Sequence, residues 1–266
     1  MSRQEVTIST PDGDARAYVF TPDAGAGPWP AVIFYMDGLA IRPAMFEMAE
    51  RLASNGYYVL LPDMFWRLPP YPPMVPAEVL ADAERRDELF AKFIGSTDAA
   101  RSMSDTGAFL EWLTRQPEAK ADKVGVTGYC MGGSWALRAA GAFPDRIAAA
   151  AAFHAGGVVT EAPDSPHLLG PKIKAKVFVG AADQDPYFTE EQFETLKKAF
   201  ADAGVKGEVT IYRGALHGYA PRDLPVFNAE ACERHWRDML ALFGETLRVG
   251  QESFLRGRGG PKAGGG

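Results

Sequence analysis

Residues 128–133 read Gly-Tyr-Cys-Met-Gly-Gly, and that cysteine is one of only two in a chain of 266 residues. An apolar run, 123–127, precedes the stretch, and a helix-like run, 134–142, follows it. The arrangement fits the G-x-S-x-G nucleophile elbow with sulfur in place of oxygen. Small residues around position 130 permit a strained turn that lifts one reactive side chain clear of the backbone. The N-terminus of the following helix supplies partial positive charge, which favours thiolate over thiol. The N–H of Met131 is placed to meet the oxyanion that forms when such a nucleophile attacks a carbonyl. Most free cysteines are inert and buried. Cys232, in the last helix without these surroundings, is read that way.

A thiol nucleophile needs a base, and the base needs an orienting acid. Around such an elbow the chain order is nucleophile, acid, histidine. His217, in Gly-Ala-Leu-His-Gly-Tyr just after an apolar run and before the last helix, stands where the base belongs. His235, among Glu233, Arg234 and Arg237, reads as a surface residue. His167 lies in a Pro/Asp-rich loop without an evident role, and His154 ends the strand after the elbow helix, where it could line a cleft. The acid is expected in the loop Gly-Ala-Ala-Asp-Gln-Asp at 180–185. Asp185 and Asp183 both qualify, with Asp185 preferred because it lies four residues before a helix cap at Thr189.

These groups must be carried by elements that alternate along the chain. Strands are predicted at 5–9, 15–20, 31–35, 57–61, 123–127, 147–153, 176–179 and 208–212. Helices are predicted at 43–54, 77–93, 98–115, 134–142, 189–203 and 226–243. Met45, Met48, Ala49 and Leu52 share one face of the first helix, and Asn55-Gly56 is its stop signal. Thr189-Glu-Glu-Gln192 is a capping-box pattern. Apolar strands alternating with helices imply an α/β fold, with a mostly parallel central sheet flanked by helices on both faces. Ligands bind such sheets at the carboxyl ends of the strands. No linker splits the chain, so residues 1–250 are expected to form a single domain, followed by a Gly-rich, disordered tail at 251–266.

Composition narrows the function classes. With 47% hydrophobic residues the chain can bury a large core. A formal charge of −6 argues against a nucleic-acid surface. No apolar run is long enough to span a membrane, and the N-terminus lacks the apolar core of a secretion signal. A cytoplasmic location and no membrane partner are therefore expected. No two histidines stand at metal-ligand spacing beside a cysteine or acid, so neither a metal nor a cofactor is expected.

Together these residues resemble the dienelactone hydrolase family of α/β-hydrolases. The likeness runs from about Thr7 to Phe243. It rests on VIFYMDG (32–38), SNGYYVLLPDMFWR (54–67), GYCMGG (128–133), the acid loop, and LHGYAPRD (216–223). The resemblance implies a Cys130–Asp185–His217 triad that cleaves an ester or lactone of the carboxymethylenebutenolidase type. It implies that Asp37 replaces the family's glutamate beside the resting thiol, and that the Gly38 N–H is the second oxyanion donor. It implies arginines that hold a substrate carboxylate: Arg222, with a one-residue offset, and Arg86 or its neighbour Arg85. Trp66, Tyr71, Tyr129, Phe153 and Tyr219 are candidates to wall the pocket. The expected partner is a small ester or lactone, and the expected assembly a monomer or small homo-oligomer. A general esterase or thioesterase, and a non-catalytic binding protein on the same fold, are the competing readings.

Overall fold

The computed structural model describes residues 2–248; the Gly-rich tail named above lies outside them. One eight-stranded sheet carries the fold, in the order β1-β2-β4-β3-β5-β6-β7-β8. β1 (Ser2–Thr10) and β2 (Gly13–Thr21) form an antiparallel hairpin, and β2 pairs antiparallel with β4 (Tyr58–Pro62). The others, β3 (Trp29–Tyr35), β5 (Ala119–Tyr129), β6 (Ile147–Phe153), β7 (Lys176–Ala182) and β8 (Gly207–Tyr212), run parallel. The inner strands are buried almost throughout: every residue of β4, and all of β3 after Trp29. A parallel sheet covered on both faces requires such apolar strands.

The helices are α1 (Pro43–Ser54), α2 (Pro76–Ala81), α3 (Ala83–Ile94), α4 (Ala99–Leu113), α5 (Met131–Ala142), α6 (Glu190–Asp202) and α7 (Ala229–Leu247), with a 3₁₀ turn at Pro166–Lys172 that sequence reading did not anticipate. α1 has the predicted bounds and buries Met45, Met48, Ala49 and Leu52. α6 opens with the full capping box: the Thr189 hydroxyl accepts from the Gln192 N–H, and the Gln192 side chain accepts from the Thr189 N–H. The helix expected over 77–93 is two helices. Asp82 takes an extended backbone, φ −122° and ψ 112°, and its carboxylate accepts the Arg85 N–H, ending one helix and capping the next. α7 starts at Ala229 rather than 226, because Asn228 caps it through the Ala231 N–H.

The chain leaves β3 toward β4 on one side, while β5 lies on the other. Between two such strands the connections diverge and open a crevice at their carboxyl ends. Asp37 and Gly38 follow β3 there, and Cys130 follows β5.

Candidate active site

Cys130 sits at φ 54° and ψ −122°, a backbone conformation that non-glycine residues rarely adopt. Three hydrogen bonds pin it: its N–H donates to the Phe153 carbonyl at 3.2 Å, and its own carbonyl accepts from Gly133 at 3.0 Å and Gly156 at 3.1 Å. The glycines of the motif have separate steric reasons. A Cβ on Gly128 would lie 2.0 Å from the Gly132 carbonyl oxygen, and one on Gly132 would lie 2.3 Å from that of Met36. The elbow helix can therefore turn back against β5 only if position 128 lacks a side chain, and approach the end of β3 only if position 132 does.

His217 Nδ1 lies 2.7 Å from Asp185 Oδ2. Asp185 is buried, and its other oxygen accepts the Tyr187 N–H at 2.8 Å. Burial opposes charge on the His217 ring, but the negative charge of Cys130 and the hydrogen bond to Asp185 outweigh it, so the pKa is pushed up to about 10. His217 Nε2 is buried on the Cys130 side of the ring. Asp183, the alternative acid, instead binds Arg213 at 3.0 Å and the Gly214 N–H at 2.9 Å.

Cys130 and His217 open onto a cavity of about 730 Å³. Gly38 and Met131, the expected oxyanion donors, both line it, and a Cβ on Gly38 would touch Met131 Sδ at 3.7 Å. The walls are mainly apolar: Leu80, Phe90 and Ile94 from α2 and α3, Trp135 from α5, and Leu224 and Val226 after His217. His154 also faces the cavity. It is fully buried with φ 36°, packs edge-on to His217 at 5.2 Å between ring centroids, and among the described residues neither ring nitrogen has a hydrogen-bond partner. Burial first, then the neighbouring His217 charge, drives its pKa well down and keeps the ring neutral.

Several expected site residues lie elsewhere. Asp37 borders the cavity, but its carboxylate is given to Arg42 rather than to the thiol. Arg42 Nη1 and Nη2 reach Oδ1 and Oδ2 at 2.6 and 2.9 Å, and Oδ1 also accepts the Leu39 N–H. Arg42 is fully buried and also binds Asp223 at 2.7 Å, so it needs both carboxylates. Arg222 is exposed and does not border the cavity, because its neighbour Asp223 is the residue turned inward to Arg42. Arg86 does border it, with its head also bonded to Asp87, whereas Arg85 does not. Tyr129 points into the core, its hydroxyl bonded to His235 at 3.0 Å, since alternate strand residues face opposite ways. Trp66 is bonded to Asp105 at 3.0 Å, away from the cavity, and Tyr71 to Asp63 at 2.5 Å. Phe153 and Tyr219 are core residues.

His235 is not on the surface as expected: it is fully buried between Tyr129 and the Cys232 carbonyl, and burial lowers its pKa to about 3. Cys232 is buried and unpaired, as expected of a structural residue. Sequence reasoning missed Arg42 and Arg138. For Arg138 a signal existed, since positions 130, 134 and 138 are spaced four residues apart along the sequence that opens the helix. Among the described residues, no group of three or more His, Cys, Asp or Glu could hold a metal ion, and no helix is long and apolar enough to cross a membrane.

A strained residue at a strand-to-helix elbow, followed along the chain by an acid and a histidine on a mostly parallel sheet, defines an α/β-hydrolase-fold protein. The comparisons narrow the class. A family model described as "Dienelactone hydrolase family" matches residues 15–247. A "Putative carboxymethylenebutenolidase" of Synechocystis sp. is 25% identical over 248 residues, spanning 91% of this chain and 96% of that protein. Among solved structures, a "Putative Dienelactone Hydrolase" from Klebsiella pneumoniae superposes with a TM-score of 0.80 at 22% identity, over 92% of this chain and 98% of that one. A dienelactone hydrolase-like promiscuous phosphotriesterase from metagenomic libraries gives 0.75 at 24% identity, with the same coverage. The chain belongs to the dienelactone hydrolase family and is a hydrolase.

Proposed function

We propose that the chain hydrolyses carboxylic esters or lactones through Cys130 as nucleophile, His217 as general acid and base, and Asp185 as the group that orients the histidine. The observation that carries this reading is the strained Cys130 opening onto the same cavity as a His217–Asp185 pair bonded at 2.7 Å. The Cys130 thiolate attacks the carbonyl carbon, and the carbonyl oxygen takes the negative charge toward the N–H groups of Met131 and Gly38. The intermediate collapses to a thioester and expels the alcohol oxygen, which takes a proton from His217. Neutral His217 then removes a proton from water, which attacks the thioester; collapse frees the acid and returns the thiolate. Asp185 holds the proton on Nδ1, leaving Nε2 to exchange protons. His154, whose ring nitrogens have no hydrogen-bond partner among the described residues, is available to the bound substrate.

Asp37 acts at one remove, by neutralising Arg42. Arg86 at the cavity rim is the remaining candidate among the expected carboxylate holders. The names of the relatives favour a carboxymethylenebutenolidase-type lactone. The size of the cavity and its apolar walls favour a second reading, a carboxylesterase with a larger acyl group, since sites of this volume hold drug-sized ligands. Ring opening of a dienelactone, followed by absorbance beside a panel of phenyl esters, separates the two. Turnover of either that is lost in Cys130→Ala supports the triad. Inertness toward every ester and lactone would revive a binding role.

A further inference from the structure

The cavity wall along α5 carries a guanidinium that the hydrolytic steps above do not use. Ser134 and Arg138, four residues apart, share one face of the elbow helix, Cys130 is the residue at its N-cap, and all three line the cavity. A rise of 1.5 Å per residue separates positions 130 and 138 by about 12 Å along the axis. Helical side chains lean back toward the N-terminus, which is the end of α5 that Cys130 caps.

Its partners are too few for its burial. The side chain is 12% exposed. Among the described residues its single ionic partner is Asp164, whose Oδ2 stands 3.6 Å from Nε, beyond hydrogen-bond reach, and Nε is buried without a hydrogen-bond partner. Asp164 is itself 51% exposed in the loop after β6. Burial lowers the Arg138 pKa, and the attraction of Asp164 does not make up the loss. Arg42 is the contrast: it is also buried, but makes five hydrogen bonds, four of them to carboxylates. A buried cation is ordinarily paired, and a guanidinium fork matches a carboxylate with two parallel bonds. Met131, Trp135, Gly156 and Gly157 line the cavity with it and bring no charge of their own.

We propose that Arg138 is an anion subsite, binding the far carboxylate of an elongated ester whose carbonyl lies at Cys130. The substrate class is then an ester of an acyl chain ending in a carboxylate. The subsite is built on the elbow helix, separate from Arg86 on α3. This inference rests on the ester-hydrolase reading.

The test compares phenyl half-esters of linear dicarboxylic acids, from succinate to sebacate, with phenyl esters of the matching monocarboxylic acids. For the wild type, the ratio of kcat/KM, half-ester over neutral ester, peaks at one chain length. Arg138→Gln lowers that ratio about ten- to a hundredfold, the effect of losing a charged hydrogen-bonding partner. Asp164→Asn raises it by removing the competing carboxylate. A merely structural Arg138 would depress both esters together and leave the ratio flat at every chain length, which overturns the subsite while leaving the hydrolase reading intact. If no ester turns over, the hydrolase reading fails, and calorimetric binding of octanedioate decides the subsite alone. Weaker binding by Arg138→Gln than by wild type retains it; equal affinity discards it.

Discussion

Replacing Arg42 with methionine removes the cation that ties two sides of the candidate site together. Its head binds Asp37, after β3, and Asp223, six residues beyond His217. Methionine keeps most of the apolar stem, so the change is chiefly one of charge and hydrogen bonding. Asp37 is 4% exposed and would keep only the Leu39 N–H. Stranding one member of a buried ion pair costs about 3–5 kcal/mol. The Asp223 side chain is 30% exposed and recovers solvation, so its loss adds little. At about 2–4 °C per kcal/mol for a domain of this size, Tm falls by roughly 6–20 °C. Urea unfolding followed by circular dichroism measures the free energy directly. Adding Asp37→Leu to Arg42→Met removes the stranded charge and recovers most of the loss. A single-mutant loss below about 1 kcal/mol, or a double mutant no more stable than Arg42→Met, would refute a buried pair that has no other support.

Two further expectations concern the triad. Asp185→Asn leaves the histidine without its anionic partner and lowers kcat by about 10³–10⁴. Asp183→Asn, which touches Arg213 and Gly214, changes kcat by no more than about twofold in steady-state assays. The pKa of His217 in the folded protein, about 10, lies above its ordinary 6.5, so the folded state holds this proton more tightly than the unfolded chain. The stabilisation is complete below about pH 6.5 and fades as pH rises toward 10. The stability of wild type minus that of His217→Gln, measured by urea unfolding from pH 6 to 10, should shrink across that window; a constant difference contradicts the charge assignment.

Where local chemistry decides structure, the sequence was readable. The capping box at Thr189, the Asn-Gly stop after α1 and the apolar run of β6 each carry their signal in a few neighbouring residues. The elbow was readable because its glycines answer to backbone contacts that admit no side chain. Periodicity did not reveal the break at Asp82, because an aspartate on the polar face of one long helix looks the same as one that caps a second. His235 was misjudged from its charged neighbours in sequence. On a helix its spatial neighbours are three and four residues away, and Ala231, Cys232 and Met239 are all buried. The aromatic residues expected to wall the pocket went to the core and to polar partners near the sheet, while α2 and α3, two elements beyond the strand ends, supply Leu80, Phe90 and Ile94. Arg42 and Asp223 are 181 residues apart, and no local pattern links them.

Whether Cys130 carries the acyl group is read from the mass of the protein quenched during turnover of a phenyl ester, with peptide mapping. His217→Gln is measured beside the wild type: phenolate can leave without a proton from His217, whereas the water that releases the acyl group has lost its base, so the acyl-enzyme should accumulate. One acyl group is expected on the peptide containing Cys130, and none on Cys130→Ala. Acyl mass on any other residue, or full turnover by Cys130→Ala, would contradict it.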